Sequence, residues 1–195
     1  DLNNNICFLL PLCLILAACD SFVEVDLPSS QLTTKTVFED AGTAKAAMAG
    51  LYAKMRDGGI LTGNSNGASC NLGLYADEFD YYYQYSVSNF YTNTLFSGDL
   101  GVNDIWNKSY SQIYSANAVL EGLDNSISIA EANKKQLQGE AIFVRALLHF
   151  YLLNLYGDIP YINTTDYLLN SKVSRMPADK VYSLIVTDLN KAVEL

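Results

Sequence analysis

The feature that most limits how this chain can fold is a pair of long helical stripes separated by one short turn. Ile105, Trp106, Ile113, Ala116, Val119, Leu120 and Leu123 recur at threes and fours between Val102 and Leu123, and Leu137, Ala141, Val144, Leu148, Leu152 and Leu155 do the same between Ala132 and Tyr156. Each stripe must leave water. Helices joined only by Asp124 to Ile129 can share a core in one way, by lying antiparallel. Gly157 then caps the second helix, and Pro160 forbids its continuation.

The neighbouring segments extend this plan. Between Val37 and Met55 the positions Phe38, Ala41, Ala44, Ala47 or Met48, Leu51 and Met55 form a narrow, alanine-rich helical face. Thr36 and Glu39 suggest a capping box at its start, and Gly58-Gly59 a stop. A last helix is expected from about Pro177, a favoured first-turn residue, carrying Val181, Ile185, Leu189 and Ala192 or Val193. No helix follows to cover its apolar face, so the chain is expected to stop inside a larger domain. The expected fold class is all-α, with tetratricopeptide-like antiparallel helix pairs. The strict tetratricopeptide consensus is absent, so this reading rests on helix lengths and turns.

Residues 60–100 break the pattern. Gly63, Asn64, Ser65, Asn66 and Gly67, and later Ser97 and Gly98, punctuate a long aromatic-rich loop insert, with room for a helical turn or two around Leu72 to Phe79. Its aromatic content argues against disorder. From Tyr75 to Phe96 the residues Asp77, Tyr81, Tyr82, Tyr83, Tyr85 and Asn89 are candidate ligand contacts. Aromatic faces suit the CH faces of pyranose rings, and carboxylates and amides suit their hydroxyls. A wet protein interface uses the same vocabulary, and so does packing under loops, so all three roles stay open. Asp77, Glu78 and Asp80 are too close in sequence to establish the carboxylate spacing of a glycosidase, and no loop of EF-hand spacing surrounds them. The chain is read as a non-enzyme without catalytic residues, metal or cofactor.

The net charge of −9 at pH 7 argues against nucleic acid as a partner, because phosphate binding needs clustered Lys and Arg. The run Ile6 to Ala18 is shorter than the ~20 apolar residues of a membrane span and contains Pro11. It fits a signal-peptide core ending in the small residues Ala17 and Ala18. Leu16-Ala17-Ala18-Cys19 resembles the lipobox of bacterial lipoproteins, which implies cleavage before Cys19 and acylation of that residue. The opening Asp1-Leu2-Asn3 lacks a charged n-region, so the true N-terminus is expected upstream. The expected organisation is a signal peptide at 1–18, a lipidated N-terminus and tether at 19–36, and a helical domain at 37–195. With Cys7 and Cys13 in the signal and Cys19 acylated, Cys70 is left as a small buried side chain without a disulfide partner. His149, alone on an apolar helix, is read as a packing residue.

Gly139 to Ile162, GEAIFVRALLHFYLLNLYGDIPYI, resembles the signature of the SusD/RagB family of outer-membrane nutrient-binding lipoproteins. The matching positions are Gly139, Glu140, Ala141, Phe143, Arg145 and Ala146 at its start and Tyr156, Gly157, Asp158 and Pro160 at its finish. Ile142 stands where a basic residue is common. The likeness extends over Ala44 to Tyr52, Trp106, Tyr114, Asn117, Ala118 to Leu123, Arg175-Met176-Pro177, Val181-Tyr182 and Asp188-Leu189. Family members are much longer, so the chain reads as the N-terminal portion of a SusD-like domain. Gly139 costs about 1 kcal/mol against Ala inside a helix, and a close helix crossing is the expected compensation. Glu140 and Arg145 are expected to seek partners on adjoining helices. The resemblance implies a surface-exposed lipoprotein of the outer membrane, held in lipid through acylated Cys19. It would bind oligosaccharides or related nutrients and deliver them, as a hinged lid, to a SusC-like TonB-dependent transporter. The alternative is a helical-repeat scaffold lipoprotein for envelope assembly without a small ligand.

Overall fold

The computed structural model describes residues 34–82 and 88–195. The signal core, Cys19 and the tether up to residue 33 lie outside the described residues, as do Tyr83 and Tyr85. The helices are α1 (Thr34–Val37), α2 (Ala41–Asp57), α3 (Ala68–Tyr75), α4 (Leu100–Asp124), α5 (Glu131–Tyr156), α6 (Tyr167–Asn170) and α7 (Ala178–Glu194). Among the described residues there is no strand, only one antiparallel bridge between Ile159 and Met176. The protein is all-α. α5 is the central helix, packed between α4 and α7, and α2 lies against α4.

The stripes read from sequence are the core. Ile113, Ala116, Leu123, Ala141, Leu148 and Leu152 are buried where α4 and α5 meet, and Ala44, Met48 and Leu51 bury the inner face of α2. Gly122 lets α1's end approach closely: a Cβ there would stand 2.1 Å from Cδ2 of Phe38, so the ring lies directly on the α4 backbone. Ser126 Oγ donates to Phe38 O at 2.6 Å and ties the same corner to the α4–α5 turn. The start of α2 differs from the expected capping box. Thr36 belongs to the separate turn α1, and the cap is Asp40, whose carboxylate accepts from the N–H groups of Gly42 (2.7 Å) and Thr43 (3.1 Å). Aspartate at the N-cap reaches those orphan donors directly, so Glu39 is not needed. Pro177 is likewise the N-cap of α7 rather than its first residue. α7 packs back on α5 through Val181 and Ile185, and of the two candidates at its end Ala192 turns inward while Val193 is exposed.

A polar cluster sits inside this apolar frame. Arg145 on α5 donates through Nε and Nη2 to both oxygens of Asp188 on α7, at 2.8 and 2.7 Å, and through Nη1 to Asn117 Oδ1 on α4 at 2.9 Å. Tyr161 donates to the same Asp188 carboxylate. Burial works against the guanidinium's charge, but the bidentate carboxylate holds its pKa above the ordinary value. Burial, reinforced by the bond to Asp188, raises the Tyr161 phenol. Asn117 Nδ2 donates onward to the carbonyls of Ile162 and Thr164.

These bonds bind the segment 157–177 to the helices. Gly157 turns out of α5 with φ 69°, in the left-handed region that glycine tolerates. Tyr110 then donates to Pro160 O at 2.7 Å, and Arg175 donates to Asp158 O while its guanidinium lies 5.1 Å from the Trp106 ring centre. Glu121 accepts from Thr164 Oγ1, from Thr165 N–H and from Thr165 Oγ1. His149 is fully buried, stacked on Tyr161 at 4.1 Å. Its Nδ1 lies 2.9 Å from Arg145 O, which can only accept, so Nδ1 carries the proton and Nε2 is the acceptor for Ile162 N–H at 3.1 Å.

Burial lowers the His149 pKa from 6.5 to about 4. The unfolded chain therefore takes up a proton in that interval that the folded chain refuses. Stability is full above about pH 6.5 and falls as pH drops towards 4, by about 3 kcal/mol in total. His149→Gln keeps an acceptor for Ile162 without an ionisable ring. Urea titrations across the interval should show a shallower pH slope for this variant than for the parent, and equal slopes would contradict the assignment.

Candidate functional site

The excursion between α2 and α4 folds into two neighbouring grooves. It enters through Gly58-Gly59, where Gln112 Nε2 donates to the carbonyls of Lys54 and Gly58 at 3.0 and 2.8 Å and closes the end of α2. α3 begins after Gly67 and ends earlier than the sequence suggested, because Phe79 folds back instead of extending the helix. A Cβ on Gly73 would lie 2.4 Å from Phe79 Cε2, so only glycine seats that ring. Asp77, with φ 57°, makes the reversal. Gly101 seats Phe90 in the same manner, a Cβ there falling 2.9 Å from Phe90 Cε2.

The larger groove has a volume of about 700 Å³ and is walled by Phe79, Tyr81, Phe90 and Phe96, with Asn66, Asn71, Asp80, Asn89 and Asp99 supplying polar atoms. Tyr81 is half-buried and lies 6.0 Å from Tyr91, ring centre to ring centre. The smaller groove, about 440 Å³, shares Phe90 and Phe96, and its mostly apolar lining includes Leu72, Tyr75, Ile105, Leu155 and Tyr156. An aromatic wall thus separates a polar trough from an apolar one.

The structure distributes the sequence candidates unevenly. Tyr81 and Asn89 line the larger groove, whereas Asp77 does not. Tyr82 projects into solvent, 83% exposed, and donates to Asp80 Oδ2 at 3.0 Å, a bond that raises the phenol's pKa. Asn89 braces the loop. Its Nδ2 donates to Asp99 Oδ2 at 2.5 Å and its Oδ1 accepts from Thr94 Oγ1 at 3.3 Å. Asp99 in turn caps α4, accepting from Gly101 N–H (2.8 Å) and Val102 N–H (3.2 Å). The Asn89 bond, together with these backbone donors, holds the Asp99 carboxyl below the ordinary range against the opposing effect of burial. Cys70, expected to be buried, is half-buried: it packs partly against the core from α3 and also lines the same groove. Sequence reading missed Asn66 and Asn71 as groove residues. The signal was a run of amides flanking Gly67, which read only as a turn.

The signature residues run along α5 to its exit, and Tyr156 near their finish lines the smaller groove. Gly139 is where α5 and α7 cross, with Ala192 O 3.2 Å from where its Cβ would be. Glu140 accepts from Tyr52 on α2 at 3.0 Å, and burial, followed by this bond, lifts the Tyr52 phenol to about 12. Arg145, Gly157 and Pro160 form the buried cluster and the exit from α5 described above. No group of three or more His, Cys, Asp or Glu among the described residues is placed to hold a metal ion.

The class that emerges is an all-α domain of paired helices that displays an aromatic-walled groove from one long insert. A SusD-like family model, described as starch-binding associating with outer membrane, matches residues 22–195, and the chain belongs to that family. A SusD-like protein of Formosa agariphila is 27% identical over 188 residues, covering 90% of this chain and 34% of its own length. One of Bacteroides ovatus is 26% identical over 189 residues, covering 93% of this chain and 33% of its own. The chain thus spans about a third of these relatives. Among solved structures, a SusD superfamily protein of Parabacteroides distasonis superposes with a TM-score of 0.64 at 26% identity, over 84% of this chain and 34% of that one. A laminarin binding SusD-like protein shares the fold at a TM-score of 0.58 and 21% identity, over 78% of this chain and 33% of that one.

Asn89→Ala removes the donor that stabilises the Asp99 cap. The expected cost is about 1–2 kcal/mol in a urea titration near neutral pH. An unchanged midpoint would show that Asn89 does not brace the loop.

Proposed function

We propose that the protein is the outer-membrane lipoprotein component of a nutrient-uptake pair. On this reading it is acylated at Cys19 and carried on the tether 19–36, after removal of the signal 1–18. It binds oligosaccharides at the cell surface and delivers them to a SusC-like TonB-dependent transporter. The observation that carries the reading is the 700 Å³ groove walled by Tyr81 and three phenylalanines and edged with amides and carboxylates. Ring faces bury the CH surfaces of sugars while the polar edge hydrogen-bonds their hydroxyls. The family description and the laminarin-binding relative support a glycan as the ligand class. Capture requires no bond to be made or broken, so the chain acts without catalysis. Release to a transporter requires only that affinity stay modest.

Affinity electrophoresis of the full-length protein through gels containing starch, laminarin or other glycans tests this directly. Retardation by at least one polysaccharide is expected. Tyr81→Ala together with Phe96→Ala, both in the groove wall, should weaken it about threefold to tenfold, the range expected for losing aromatic contacts. Retardation that is absent with every glycan, or indifferent to these substitutions, would contradict the assignment of the groove.

A further inference from the structure

The segment 157–177 presents a surface that the groove does not use. α6 carries Tyr167, Leu168 and Leu169, which are 77%, 69% and 59% exposed, and Val173 beyond them is exposed too. Consecutive large apolar side chains held in water mark a contact surface. The segment that holds them is anchored at Pro160, Ile162, Thr164 and Thr165 by bonds from α4 and α5, so the tip is a fixed projection.

Its backbone is closed upon itself. Asp166 accepts from the N–H groups of Leu168 and Leu169 at 2.8 and 3.1 Å, Asn170 N–H donates to Asp166 O, Ser171 N–H to Tyr167 O, and Ser171 Oγ to Leu168 O. A protruding turn with few unpaired N–H and C=O groups meets the chief demand of a lipid phase, where unpaired groups are costly. The charge is also distinctive. In a chain of net charge −9, the stretch from Tyr167 to Ala178 contains Lys172 and Arg175 and no acid. The acids that flank it are Asp166 and Asp179; the Asp166 carboxylate is turned to the backbone N–H groups of Leu168 and Leu169, and that of Asp158 to Ala178 N–H. Lys172 makes no ion pair among the described residues.

We propose that this tip is a membrane-docking surface whose partner is a lipid bilayer bearing anionic headgroups. Tyr167, Leu168 and Leu169 enter the interfacial region, where aromatic and aliphatic side chains are favoured, and Lys172 and Arg175 meet the headgroup charge. The tip would then supply a second membrane contact beside an acyl anchor, fixing the orientation of the body. It rests on the lipoprotein reading for its setting only, since vesicle binding by an unacylated protein and acylation of Cys19 succeed or fail separately.

The test uses full-length protein carrying Cys19→Ala, purified without acyl chains and sedimented with vesicles of phosphatidylcholine alone or of equimolar phosphatidylcholine and phosphatidylglycerol. Binding to the mixed vesicles is expected, weakening as salt is added. Leu168→Ser with Leu169→Ser should lower partitioning about tenfold or more. Lys172→Glu should lower it about fivefold or more on the mixed vesicles and little on phosphatidylcholine. Val186→Ser, on the exposed flank of α7, should change nothing. In Leu168→Trp, the added emission should be quenched by brominated acyl chains. Equal binding by parent and double-serine variant, no vesicle binding by the parent, or no quenching by brominated chains would overturn the proposal. So would protection of the new tryptophan from acrylamide without vesicles, which would show that another part of the protein covers the tip.

Discussion

Everything in this fold meets at the Arg145 guanidinium. Among the described residues it is the one side chain on α5 with hydrogen bonds to both α4 and α7, and both partners, Asn117 and Asp188, are themselves buried. Taking a cation and a carboxylate out of water is expensive, and such a pair is tolerated only when nearly every donor and acceptor is matched. Here the guanidinium faces two carboxylate oxygens and an amide oxygen, and the carboxylate receives Tyr161 as well. An apolar substitute of equal volume would pack as well. It would not specify which turn of α7 faces which turn of α5.

The same cluster determines where the chain goes after α5. Asn117, His149 and Tyr161 convert the buried ion pair into a set of bonds to residues 161–164, and Glu121 continues the line to Thr165. The loop that leaves α5 is therefore tied to α4 and α5 through residues 160–165, and its tip is displayed rather than tucked in. On the other side of α4 a carboxylate does comparable work: Asp99 starts the helix and anchors Asn89, so the aromatic excursion is tied to the first turn of α4. The groove and the exposed tip thus hang from the same helix, one near its start and one towards its end.

Much of the frame was legible because helical period survives tertiary folding. The stripes of α4, α5 and α7 were identified residue by residue, and Gly139 was assigned to a close crossing that α5 and α7 make through Ala192. What sequence could not show is which polar residues are spent on the scaffold. Asn89 has the side chain of a sugar ligand, yet its amide is committed to Asp99 and Thr94. Thr36 and Glu39 have the spacing of a capping box, but Asp40, nearer the first turn, wins the N–H groups. His149 was read as a packing residue, and it is buried, but its role as acceptor for Ile162 depends on the path the chain takes after its break at Gly157, which no local pattern encodes. Periodicity reports burial. It does not report partnership.

The account therefore stands on the claim that the buried cluster makes the loop after α5 an integral part of the helical body. Amide hydrogen exchange at Ile162, whose N–H points at His149 Nε2, measures this directly. If the claim holds, that amide exchanges only when the whole domain unfolds, with the same opening free energy as core amides of α5 such as Leu148. Exchange at Ile162 that is much faster than at Leu148 would mean that the loop opens on its own and that the cluster does not hold it.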